Sequence, residues 1–139
     1  MNRLMLDTCA VIDMLVDPDA LGKEAVAILE DPENVLYASF ETMRELVVHF
    51  NNKKLLSKQW KTAADVIRTV ESELDIEFLP VRRDVGFAYS RLQLNTGQSH
   101  YDPSDHMIIA HAITEHLPLL SSDLKFPFYR AQGLDLIEY

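Results

Sequence analysis

The chain has 139 residues, 47% of them apolar and 25% charged, which fits one globular domain over residues 1–139 with a sizeable core. Its net charge of −9 argues against nonspecific nucleic-acid binding through a basic surface, and no apolar run approaches the length of a membrane span. The single cysteine, Cys9, cannot form an internal disulfide and reads as a small buried residue. Asp7 interrupts the apolar N-terminal stretch, so no secretory leader is legible and a cytoplasmic location is expected.

The first element, "RLML" at residues 3–6, is a short apolar run suited to a buried parallel strand. "AVIDMLVD" and "LGKEAVAILED" read as short helices around the breaker "DPD". "NVLYAS" predicts the second strand. "FETMRELVVHFNN" predicts a helix with Met43, Leu46, Val47 and Phe50 on one face. "SKQWKTAADVIRTVESELD" predicts a longer amphipathic helix capped by Ser57. "IEFLP" is a strand and "RRDVGFAYSRLQLN" a helix. A helix over 102–116 follows, with Asp102 as cap and Pro103 at its first position. A strand "PLLSS", a short helix near "LKFPFYRAQG" and a last strand "LDLIE" complete the chain. Strands alternate with helices and no hairpin signal joins two strands. The expected fold is α/β, a three-layer α/β/α sandwich around a parallel sheet of about five strands.

The helix over 102–116 has an unusual buried stripe: Asp105, Ile108, Ile109, Ala112 and Ile113. An acid at the top of an apolar stripe needs something to meet its charge. Ligands of open parallel sheets bind beyond the carboxyl ends of the strands, and Asp7 and Asp123 directly follow strands. Asp105 and Glu45 sit early in helices that enter the same edge. Crowded carboxylates repel one another unless a cation such as Mg²⁺ or Mn²⁺ sits among them. Each acid also has a plain alternative. Asp7, Asp102 and Asp123 can serve as caps or turn residues, and Glu45 falls off the apolar face beside Glu41 and Arg44, where a solvated charge is the default. His100, His106, His111 and His116 are spaced by five or six residues, which does not align zinc ligands on one helical face, and they read as surface histidines. An aspartyl-phosphate phosphatase would also open with a strand and an Asp, but Cys9 stands where its second acid belongs.

Four segments together resemble PIN-domain nucleases, in particular the VapC-like toxin group. They are "LMLDTCAVI", "DPENVLYASFETMRELVVHFNNKKL", "HYDPSDHMIIAHAI" and "LPLLSSD", in the family's order and spread over nearly the whole chain. The resemblance implies a PIN-like fold and assigns Asp7, Glu45, Asp105 and Asp123 as the four catalytic, metal-holding acids, preferring Glu45 to Glu41. It adds Thr8 beside the first acid and Asp102 as secondary candidates. Ser104 and His106 depart from the Phe and Arg that usually flank the third acid, and Arg44 departs from the aromatic or small residue usual before the second.

The implied activity is Mg²⁺- or Mn²⁺-dependent hydrolysis of RNA phosphodiester bonds. Arg44, Arg82, Arg83 and Lys125 are candidates for holding the RNA backbone, with surface ion pairing as the alternative for each. The resemblance further implies a cognate antitoxin, laid over "MLVDPDALGKEAVAIL" and "ELVVHF", and a homodimer. A non-catalytic PIN-like module that only binds a protein partner is the competing reading.

Overall fold

The computed structural model describes residues 2–139. The elements run β1 (Asn2–Leu6), α1 (Thr8–Val16), α2 (Gly22–Glu30), β2 (Asn34–Ser39), α3 (Phe40–Asn51), α4 (Ala63–Ser72), β3 (Ile76–Leu79), α5 (Arg83–Arg91), α6 (Pro103–Glu115), β4 (Leu119–Ser121) and β5 (Leu136–Glu138). Short 3-10 turns occupy Pro18–Leu21, Thr96–Gln98 and Phe126–Gln132. The strands form one parallel sheet in the order β3-β2-β1-β4-β5. The expected three-layer α/β/α sandwich is the fold observed. No described helix is long and apolar enough to cross a membrane.

Strand alternation builds the two cores. Leu4 and Leu6 of β1 point to one face and pack with Leu36, Ile76, Ala10, Val11, Leu46, Val66 and Val70. Met5 points to the other face and packs with Leu119, Leu136 and the α6 residues Ile108, Ile109 and Ala112. Both sets are buried, which is why the strands read as continuous apolar runs. The sheet order also fixes where a ligand can sit. From β1 the chain steps outward to β2 and β3, then returns to β4 on the opposite side of β1, so the strand order reverses between β1 and β4. The register pairs Leu6 with Leu120, and the Asp7 N–H donates to the Leu120 carbonyl at 3.0 Å. A crevice opens at the carboxyl ends of these two strands.

Two helices differ from their expected extents. Helix α4 does not begin at Ser57. The segment 57–60 is a turn, closed by the Trp60 N–H on the Ser57 carbonyl at 3.2 Å. Trp60 is buried there, and its indole N–H donates to Thr69 Oγ1 at 3.0 Å. The helix starts after Thr62, whose side chain accepts from the Asp65 N–H while Asp65 accepts from the Thr62 N–H, a reciprocal capping box. Helix α5 ends at Arg91 rather than at Asn95, because Asn95 is buried and turned to donate through Nδ2 to the Lys125 carbonyl at 3.1 Å.

Thr62→Ala should therefore lower stability by about 1 kcal/mol, the usual worth of an N-cap. Ser57→Ala should stay within about 0.5 kcal/mol of the parent. Urea unfolding of the two variants measures this, and the reverse ranking would restore the longer helix.

Candidate active site

Five carboxylates line one hollow at that crevice. Its volume is about 370 Å³, and Asp7, Glu45, Asp102, Asp105 and Asp123 border it with Thr8, Cys9, Ile12, His49 and Ser122. All four acids assigned by the resemblance, and both secondary candidates, are brought together there.

Asp7 follows β1 and caps α1, as its plain reading expected, and its carboxylate also borders the hollow. It is 3% exposed. Its Oδ1 accepts from the Thr8 N–H at 2.8 Å, and its Oδ2 accepts from the Ser121 hydroxyl at 2.7 Å and from the Cys9 thiol at 3.3 Å. Burial raises its pKa, with the Asp123 charge adding to the rise, and these hydrogen bonds work against it. Ser121 does a second job, since its Oγ accepts the Asp123 N–H at 3.1 Å. One hydroxyl thus ties the acid after β1 to the acid after β4. Asp123 Oδ1 in turn accepts the Lys125 N–H at 2.9 Å.

Glu45 is not a solvated charge. Thr8 Oγ1 donates to Glu45 Oε1 at 2.6 Å and lies 3.0 Å from Thr42 Oγ1, one turn earlier on α3. Burial pushes the Glu45 pKa up, and the charges of Asp7, Asp102 and Glu41 add to it. Glu41 points elsewhere. Its Oε1 accepts from Arg44 Nε at 2.9 Å and from the Ser104 hydroxyl at 2.5 Å, joining α3 to α6 outside the hollow.

Asp105 carries the strongest signature. Its pKa is pushed up to about 8, first by burial and then by the charges of Asp7, Asp102, Asp123 and Glu45. Its Oδ2 lies 2.8 Å from His100 Nε2. Asp102 caps α6 by accepting the Ser104 N–H at 2.9 Å and faces the hollow from its rim.

The histidines are a correction. His100, His106 and His111 are buried, not on the surface, and burial lowers the pKa of His100 and His111. Spacing of five and six residues misses this because His100 precedes the helix and reaches back over its first turn. Cys9 is only partly buried, and burial with the Asp7 charge keeps its thiol protonated, which fits no nucleophile. None of the four basic candidates lines the hollow. Arg44 is ion-paired to Glu41, Arg83 lies over the Phe87 ring at 4.7 Å, and Arg82 and Arg83 are exposed.

The family model for the PIN domain matches residues 4–133. The chain belongs to the PIN domain family. Among solved structures, this PIN domain is similar to VapBC2 from Rickettsia felis, bound to a promoter DNA fragment, at 21% identity and TM-score 0.73 over 98% of each chain. It is similar to VapBC-1 from nontypeable Haemophilus influenzae at 22% identity and TM-score 0.68, covering 98% of this chain and 97% of that one. It is also similar to VapBC-5 from Mycobacterium tuberculosis at 24% identity and TM-score 0.63 over 100% of each chain. At such identities the likeness is one of fold. No curated protein matches the chain.

The donor set of this PIN domain fits a hard divalent cation. All five charged lining groups are carboxylates, and oxygen donors suit Mg²⁺ or Mn²⁺. The Asp105 pKa is raised first by burial and then by the neighbouring acids, and a cation would offset both.

Linkage gives the sign of a test. The folded protein holds the Asp105 proton up to about pH 8, whereas an unfolded chain releases it near the ordinary value of 3.8. Its contribution is therefore full below the ordinary value and is lost as pH rises to about 8. In EDTA the parent should lose stability across that window, and Asp105→Asn should remove part of the slope. At the alkaline end the variant should be more stable by about 0.5–2 kcal/mol, in the range of other stabilising substitutions. Urea unfolding against pH reads this, and a less stable variant would make Asp105 a structural hydrogen-bonding residue.

Proposed function

We propose that the chain is a metal-dependent ribonuclease of the VapC-like kind, the toxin of a type II toxin–antitoxin pair, which hydrolyses RNA phosphodiester bonds. One observation carries the reading. Asp7, Glu45, Asp105 and Asp123, from four separate segments of a PIN domain, converge in one hollow at the carboxyl edge of the sheet.

Asp7, Asp105 and Asp123 would hold Mg²⁺ or Mn²⁺, and Glu45 would hold a second ion or the attacking water. When bound, such a cation lowers the pKa of a water and offsets the charge that develops on phosphate. The remaining work belongs to the chain. The Thr8 hydroxyl fixes Glu45 Oε1, so this carboxylate meets its target without reorganising. The Ser121 hydroxyl fixes Asp7 Oδ2 and the backbone of Asp123. Arg82, Arg83 and the Lys125 ammonium are the cations offered to the RNA backbone, whereas Arg44 is paired with Glu41.

One assembly expectation rests on a relative. VapBC-5 is a member of the VapBC family of toxin-antitoxin systems, which supports an antitoxin partner here. Met14, Leu21, Val26 and Leu29 line a shallow apolar cleft of about 170 Å³ within the first segment assigned to that partner, where Val16 is exposed, and Val48 is exposed in the second segment, on α3. A homodimer and a cytoplasmic site of action complete the proposal.

The purified chain should cleave a mixed RNA pool with Mg²⁺ or Mn²⁺ and lose the activity in excess EDTA. Glu45→Gln should lower cleavage by about 100-fold or more, the scale of a lost acid–base group. Glu41→Gln should keep most of it, because Glu41 serves Arg44 and Ser104. Undiminished cleavage in EDTA would overturn the metal mechanism, and no cleavage under any condition would favour the binding-module reading.

A further inference from the structure

His100 is 2% exposed, and both of its ring nitrogens are engaged. Nδ1 lies 2.9 Å from the Tyr129 hydroxyl, and Nε2 lies 2.8 Å from Asp105 Oδ2. The ring is wedged against Phe126, Tyr129 and His106, at centroid distances of 5.6, 5.5 and 4.8 Å. The His100 carbonyl accepts from His106 Nε2–H at 3.0 Å, so the first turn of α6 holds the residue's backbone as well.

The protons in this chain of contacts can be assigned by accounting. Tyr129 is fully buried. Its oxygen already accepts the Asn95 backbone N–H at 3.0 Å. Its own O–H still needs an acceptor, since a buried donor left unpaired costs about 1–3 kcal/mol. His100 Nδ1 is the acceptor within reach. Nδ1 then carries no proton, and Nε2 carries one and donates it to Asp105. The same accounting settles a second question. His100 lies with Asp105 and Asp123 in a group whose ligand atoms are all within 4.8 Å of one another, and Nε2 is the nitrogen on the Asp105 side. A protonated Nε2 has no lone pair to give a cation, so the ring is a hydrogen-bond donor there and not a ligand.

We propose that His100 is the positioning residue of Asp105: the relay from Asn95 through Tyr129 sets an N–H that occupies Asp105 Oδ2 and leaves Oδ1 as the oxygen available to a cation. The inference rests on the cation reading of the site and adds a residue to it. An aspartate at the end of a helical stripe can otherwise turn its carboxylate over. The fixed N–H removes that freedom, and hydrogen-bonded carboxylate ligands depend on such partners for affinity.

Two measurements without RNA test it. Long-range ¹H–¹⁵N spectra of the cation-free protein should show His100 protonated at Nε2 and bare at Nδ1. Mn²⁺ affinity, read from the EPR signal of free Mn²⁺, should fall by about 10–100-fold in His100→Leu. His100→Gln, which keeps an N–H near the Nε2 position, should restore most of the affinity. Bound Mn²⁺ should show no directly coordinated nitrogen in its hyperfine spectrum. A ring protonated at Nδ1, an unchanged affinity in His100→Leu, a loss in His100→Gln as large as in His100→Leu, or a nitrogen ligand would each overturn the positioning role. Parent protein that takes up no Mn²⁺ would overturn the nuclease reading together with it, whereas the wrong tautomer with Mn²⁺ still bound would overturn the positioning role alone.

Discussion

Asp7 is a nearly buried carboxylate whose three donors are a backbone N–H, a hydroxyl and a thiol, none of them a charged side chain. Desolvation of such a group costs several kcal/mol unless its charge is met, and hydrogen bonds offset only part of that cost. Four more carboxylates share its hollow. The arrangement is therefore one of deliberate electrostatic tension, of the kind in which stability is exchanged for a site. Much of the surrounding polar structure keeps that tension ordered. Thr8, Ser121 and His100 each hold one carboxylate oxygen in place, and none of them neutralises it.

Topology decides which acids meet. A parallel sheet whose order reverses between β1 and β4 leaves a crevice at that edge. Asp7 and Asp123 reach it as the residues following those strands. Glu45 reaches it from α3, where Thr42 and Glu45 share the side of the helix that faces Thr8. Asp105 reaches it because Asp102 and Pro103 set where α6 begins. Shifting any of these starts by one residue would turn an acid away from the hollow. The caps are thus part of the site as well as of the helices.

Much of this was legible in the sequence, and the gaps have physical causes. Alternation of apolar runs and amphipathic stretches fixes a parallel α/β fold, since strands buried on both faces leave no other pattern. The stripe of Asp105 above Ile108 and Ile109 marks an acid without an ordinary partner. Glu45 was not legible from periodicity, because its partner Thr8 is far away in sequence, and only the resemblance singled it out. The buried histidines were missed for the same reason. His100 takes its environment from Phe126 and Tyr129, which lie on a 3-10 turn after β4. Ser121 carried a weak signal, a hydroxyl at the last strand position before an acid. Ser57 misled because a capping residue predicts a helix start only when its turn is free to be helical, and the burial of Trp60 takes that turn away.

The collected carboxylates are proposed as a cation site in which Asp105 keeps its proton until the cation arrives. Calorimetric titration of Mn²⁺ into the protein, repeated near pH 7 in buffers of different ionisation enthalpy, counts the protons displaced on binding. With Asp105 pushed up to about 8, the account predicts that roughly one proton leaves as the ion binds, falling away as pH rises past that value. Binding near pH 7 with no proton released, or no binding at all, would contradict it.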